Sequence, residues 1–164
     1  MYKSFCPSAV SHLHAFEMMN CNLITLAPDT NVFVAVELLI ENKISGAPVV
    51  DENYCLLGVF SEKSVMKVLV EAAYEQVPID RVDSLMNRTP KTISEDTLLV
   101  TMAQIFLTSP ARRLPVVRDK VLVGQVSRRD VIRAATQLTS SHDHEEKHLL
   151  YLSALRSMSD APNV

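Results

Sequence analysis

Val32, Val36 and Leu39 recur at helical spacing with Ala35 beside them and Lys43 prolonging the stripe, while Glu37 and Glu41 fall on the other side. This pattern predicts a helix with one buried face, entered at Asp29-Thr30, whose side chains suit an N-cap. A short strand carrying Thr25 precedes it. Two short apolar runs follow, Ala47 to Val50 and Cys55 to Phe60, separated by a polar stretch, and they predict a β-hairpin. A second helix is predicted from Ser61, with Val65, Met66, Val68, Leu69 and Ala72 available for packing.

The same order then repeats. Pro48-Val49-Val50 returns 67 positions later as Pro115-Val116-Val117, and the same shift carries Met19-Asn20 onto Met86-Asn87, Thr25 onto Thr92 and Asp29-Thr30 onto Asp96-Thr97. Beyond the Pro-Val-Val segment the shift is 66, so Gly58 meets Gly124 and Ser61 meets Ser127. The lost residue falls in the polar stretch DENY against RDK, a turn, where a length change costs least. The predicted fold is therefore α/β of the α+β kind, two β-α-β-β-α repeats packed through their sheets. A unit this small buries too little surface alone, which predicts one shared core. The expected divisions are an N-terminal extension 1–15, a first repeat 16–73, a linker 74–81, a second repeat 82–139 and a tail 140–164 containing an amphipathic helix. The connection from Tyr74 to Met86 contains Pro78, which stops the preceding helix.

At 164 residues and 48% hydrophobic content the chain can bury a core. A net charge of -3 gives no global basic signature for nucleic acid or acidic membranes, so no partner of either kind is expected. Cys6, Cys21 and Cys55 are odd in number and lack C-x-x-C spacing, which predicts buried thiols in a reducing compartment. The opening residues have no continuous apolar segment, and Glu37 interrupts the run from Val32 to Ile40, so a cytoplasmic protein is expected.

The repeats differ in chemistry. Ser127 and Asp130 have the spacing of a capping box, and the first copy puts Ser64 where the second has Asp130. Arg112 and Arg113 precede Leu114-Pro115, Arg128 and Arg129 flank the predicted helix start, and Arg118 and Arg133 are near in sequence. The first copy has Gly46-Ala47 and Glu62-Lys63 at the equivalent places, so only the second is equipped for an anion.

SGAPVVDENYCLLGVFSEKSV and RRLPVVRDKVLVGQVSRRDVI resemble the tandem CBS-domain module, the family named for cystathionine β-synthase. The resemblance runs from about Phe16 to Leu138. It implies two repeats about a pseudo-twofold, a homodimer, no catalytic residues, no required cofactor and no metal. It also implies an adenine nucleotide as regulatory ligand in a cleft between repeats, with an effector protein of unknown identity as the output. By that resemblance Asp130 holds the ribose diol, Ser127 meets phosphate, Arg112, Arg113 and Arg128 serve the anion, and Leu114, Pro115, Thr92 and Ile93 frame the cleft. A ribose presents two adjacent hydroxyl donors, and one carboxylate can accept from both, a task Ser64 cannot perform. Two other readings stand beside this one. The module can be purely structural, with vestigial clefts. HEEKH, from His144 to His148, fits the H-E-x-x-H zinc-hydrolase pattern, with Glu145 as base, although it follows both repeats.

Overall fold

A computed structural model describes residues 12–74 and 81–137. The first repeat contains helix α1 (Val32–Glu41), strands β1 (Gly46–Val50) and β2 (Leu56–Ser61), and helix α2 (Glu62–Tyr74). A short helix α3 (Val82–Leu85) opens the second, followed by α4 (Leu99–Thr108), β3 (Arg113–Arg118), β4 (Val121–Ser127) and a helix over 128–137, here α5. A 3-10 turn, Ala15–Glu17, is the counterpart of α3 at the head of the first repeat.

β1 pairs with β2 and β3 with β4, both antiparallel, and both hairpins shift register after their second-last Pro-Val-Val step, at Val49/Val50 and Val116/Val117. The second hairpin closes through Asp119 and Lys120, both with positive φ (50° and 71°), the backbone signature of a two-residue primed turn that follows strand twist. Each sheet gains two single-residue partners. Leu26 and Ile93 add parallel bridges to Val49 and Val116, where a regular strand is predicted from the sequence, and Asn87 and Asn20 add antiparallel bridges to Val59 and Gln125. These last two cross between repeats: Asn87 belongs to the second and pads the first sheet, and Asn20 does the reverse. Every one of these bridges has its mate at the repeat shift, so a pseudo-twofold relates the halves; Cys55 and Val121 pair with each other near its axis.

The crossing explains two glycines. A Cβ on Gly58 would lie 2.7 Å from the Asn87 carbonyl oxygen, and one on Gly124 would lie 2.5 Å from Met19 Sδ. The recurrent Met-Asn pair and the recurrent Gly are two sides of one contact, an entry segment laid across the other repeat's sheet.

Instead of a single shared core there are two. One gathers Leu26, Val32, Ala35, Leu39, Ala47, Val49 and Phe60 with Val82 and Met86 of the second repeat. The other gathers Ile93, Leu99, Met102, Phe106, Leu114, Val116, Val126 and Val131 with Ala15. Each repeat lends its neighbour an entry turn, so neither core is complete without the other half. Leu13 and Ala15, placed in the N-terminal extension by the sequence pattern, are tied to the second repeat: Leu99 N–H donates to the Leu13 carbonyl at 2.7 Å and Ala15 N–H to that of Thr97 at 2.9 Å.

The first helix of each repeat starts one or two residues later than predicted, and the second starts as predicted, just after Ser61 and Ser127. Asn31 caps α1, its Oδ1 accepting from Phe33 N–H at 2.9 Å, and Leu98 is the N-cap of α4 without a side-chain bond. The backbone of Pro28 and Thr30 is occupied with Asp83 and Val82, and Thr97 Oγ1 accepts from Ser94 N–H in the preceding turn. Lys43 lies beyond α1 and is exposed. The thiols also differ from expectation: Cys21 is exposed and Cys55 half-buried, because both sit at the surface where segments cross. No helix among the described residues is long and apolar enough to cross a membrane.

Candidate functional site

The open end of the β3–β4 hairpin collects most of the expected residues. Arg113 pairs with Ser127 as the last rung of the ladder, and α5 starts immediately after it. At this junction Asp130 folds back on the strand end. Its Oδ2 accepts from Ser127 N–H at 2.8 Å and from Ser127 Oγ at 2.6 Å, and Asp130 N–H faces Ser127 Oγ at 3.3 Å. This is a closed capping box. Among the described residues the other carboxylate oxygen, Oδ1, has a loose ion pair, 3.7 Å from Arg133 Nη1. A carboxylate offers about four acceptor positions, so Asp130 caps with one oxygen and keeps the other for a further donor.

Asp130 borders a cavity of about 470 Å³ lined by Leu13, Glu17, Met18, Asp130, Arg133, Ala134 and Gln137. Its walls come from the entry segment of the first repeat and from α5 of the second, so it is a cleft between repeats. Of the residues given a role in the cleft from sequence, Asp130 alone lines it, joined by Arg133 from the wider arginine set. Leu13, Glu17 and Met18 were not foreseen; the signal was the Met-Asn recurrence beside them, which marks a segment that packs on the other repeat.

The remaining nominees are placed differently from one another. Leu114 and Ile93 put their side chains in the second core and Pro115 is fully buried, while Thr92 is exposed next to Ile93. The carbonyl of Pro115 is itself taken by Ile93 N–H at 3.0 Å. Arg128 is exposed and spends its guanidinium on its own repeat, donating to the Ala111 carbonyl at 2.9 Å and the Ser109 carbonyl at 3.4 Å over the Phe106 ring. Arg112 is exposed and stands 3.9 Å from Glu62 of the first repeat. Arg113 and Arg129 have no bonded partner among the described residues. Ser127 has committed its hydroxyl proton to Asp130, so in this arrangement it offers no donor to an anion.

Arg118 does not join this group. It pairs with Val121 at the opposite, turn end of the hairpin and forms a two-pronged bond with Glu95, 2.6 and 2.7 Å. The hydrogen bond from Arg118 holds the Glu95 carboxyl below the usual carboxylate range, and the same contact raises Arg118. The two arginines of one strand thus serve different ends: Arg113 stands at the open end of the hairpin with no bonded side-chain partner among the described residues, and Arg118 is fixed at the turn.

In the first repeat, Ser64 Oγ lies 3.4 Å from Ser61 Oγ in place of the carboxylate box. Among the described residues no group of three or more His, Cys, Asp or Glu is placed to hold a metal, and HEEKH lies outside those residues.

The CBS domain family matches the chain at residues 15–71 and again at 82–136, the two halves joined by the pseudo-twofold. The chain belongs to that family, as a tandem pair. It is 34% identical over 148 residues to the CBS domain-containing protein CBSX1, chloroplastic, of Arabidopsis thaliana, covering 74% of this chain and 63% of the relative. To CBSX2, chloroplastic, of the same plant it is 31% identical over 147 residues, covering 71% of this chain and 60% of the relative. It therefore spans somewhat under two thirds of these relatives. Among solved structures, CBSX2 in complex with AMP matches with a TM-score of 0.69 at 33% identity, over 76% of this chain and 97% of that one.

Proposed function

We propose that the chain is a non-catalytic, ligand-sensing regulatory module that binds an adenosine nucleotide in the inter-repeat cleft bordered by Asp130. The observation that carries this reading is the placement of Asp130, which closes the cap through one oxygen, pairs loosely with Arg133 through the other and lines a cavity between repeats. The relative crystallised with AMP supports the ligand class.

The chemistry assigns a task to each part. Asp130 Oδ1 accepts from the vicinal hydroxyls of the ribose. Arg113 and Arg129, unpaired among the described residues, neutralise the phosphate near the positive end of α5. Leu114, Pro115 and Ile93 are buried and make rigid the hairpin that carries Arg113 and leads to Asp130, with Thr92 exposed beside them. Arg128 holds the loop before β3 in place.

Regulation requires that the ligand prefer one arrangement of the halves over another. We assign the output to an effector protein and to a homodimer. Phe33 and Ile40 on α1 and their mates Val100 and Leu107 on α4 are exposed, matching the apolar face a dimer would cover. Solution is proposed as the working environment, in keeping with the cytoplasmic expectation, and fractionation of cells expressing the chain checks it.

The deciding experiment is a thermal-shift panel with AMP, ADP, ATP, S-adenosylmethionine, NADH and cyclic dinucleotides, followed by calorimetric titration of whichever ligand stabilises. An adenosine nucleotide should raise the melting temperature. No shift with any of them would leave the structural module with vestigial clefts, the reading favoured by Ser64 in the first repeat.

A further inference from the structure

We infer that Glu62, in the first repeat, sets the affinity of the second repeat's cleft for phosphate-bearing ligands by competing for Arg112. The inference rests on the proposed nucleotide cleft and adds a residue that lies outside it.

Glu62 is the first residue of α2, and its carboxylate Oε2 lies 3.9 Å from Arg112 Nη1 across the repeat boundary. Backbone bonds fix both ends of this contact. Glu62 N–H donates to the Ser45 carbonyl at 3.1 Å, and the Arg112 carbonyl accepts from Arg128 N–H at 3.4 Å. Only the two side chains are left to move.

The pair has no counterpart across the pseudo-twofold. The mate of Glu62 is Arg128 and the mate of Arg112 is Ser45, so the symmetric position brings together no opposite charges. The acid therefore acts on the second cleft alone, the one that carries Asp130.

Arg112 adjoins Arg113, which pairs with Ser127, which holds Asp130. Arg113 and Arg129 have no bonded side-chain partner among the described residues, whereas Arg112 faces Glu62, so a phosphate on a sugar gripped at Asp130 gains Arg112 only if Glu62 gives it up. The contact is loose and both groups are largely exposed, at 74% and 58%, so a directly bonded phosphate oxygen can displace the carboxylate, at a modest cost in affinity.

The test is calorimetric titration of AMP and of adenosine into the wild-type chain, Glu62→Gln, Arg112→Gln and the double variant at low, fixed ionic strength. Glu62→Gln should tighten AMP about twofold to fivefold, the range of an exposed pair, and leave adenosine unchanged. The gain should vanish in the Arg112→Gln background. An unchanged AMP affinity in Glu62→Gln, an equal gain for adenosine, or a gain that survives loss of Arg112 overturns the inference alone. A wild-type chain that binds neither AMP nor adenosine overturns the proposed function and this inference with it.

Discussion

The two repeats share a backbone and differ in what they do with the junction between hairpin and second helix. In the second, Asp130 takes two bonds from Ser127 with one oxygen, pairs loosely with Arg133 through the other and lines a cavity; in the first, two serine hydroxyls stand 3.4 Å apart. Both junctions form a helix, so the carboxylate is not needed for the fold. What the fold does need is present twice: the Pro-Val-Val strand, the glycine under the crossing segment and the apolar entry turn. The difference separates residues kept for architecture from a residue free to serve chemistry.

The largest expected effect breaks the comparison by making the second repeat like the first. Asp130→Ser should weaken AMP by about tenfold to a hundredfold, since charge-assisted bonds contribute about 1.5 to 3 kcal/mol each. It should also lower stability by about 1 kcal/mol through loss of the cap. Titration and denaturant melts measure the two separately. Equal AMP affinity in variant and wild type would return Asp130 to capping alone.

The glycines sharpen the comparison next. Gly58→Ala drives a methyl against the Asn87 backbone oxygen, at 2.7 Å, which cannot yield without moving the crossing segment. Gly124→Ala meets Met19 Sδ and Cγ, at 2.5 and 2.9 Å, and a methionine side chain can swing aside. The first should cost about 2 to 3 kcal/mol and the second about 1 kcal/mol. Urea unfolding of both variants checks the order, and a reversal would mean that the crossing segments yield differently from their contacts.

Most of this architecture was legible because repetition doubles every signal. The shift of 67 residues, dropping to 66 in the turn, pairs the observed bridges as well as the motifs. The entry turns were not legible: Ala15–Glu17 and Val82–Leu85 are too short to show a period, yet they complete both cores. The cap positions were misplaced because Pro28 and Thr30 spend their carbonyls on the other repeat, a demand invisible in local sequence. At the site, the letters marked a cluster of arginines without separating them. Their partners (Ala111 and Ser109 for Arg128, Glu62 for Arg112, Glu95 for Arg118) lie up to tens of residues away and decide which remain available.

A smaller effect comes from dressing the first repeat like the second. Ser64→Asp places a carboxylate three residues after Ser61, where it can close the missing capping box and favour the N-terminus of α2. The melting temperature should rise by a few degrees, the equivalent of about 0.5 to 1 kcal/mol. AMP stoichiometry should stay at one per chain, because Gly46 and Ala47 stand where the second repeat has Arg113 and Leu114. A second site of matching affinity would show that the acid alone suffices.

The smallest effect lies at the turn end of the second hairpin, where Glu95 and Arg118 join the entry loop to β3. The first repeat has Pro28 and Asp51 at these places and can form no such pair. Because the hydrogen bond from Arg118 depresses the Glu95 carboxyl in the folded chain, its contribution is fully present above the ordinary carboxylate range. It is lost as pH falls through the lowered folded value. Glu95→Gln should therefore melt slightly below wild type at neutral pH, and the gap should close on acidification. Melting curves of the two proteins at matched pH and ionic strength measure the gap. A difference that stays constant into strong acid would assign the role of Glu95 to packing.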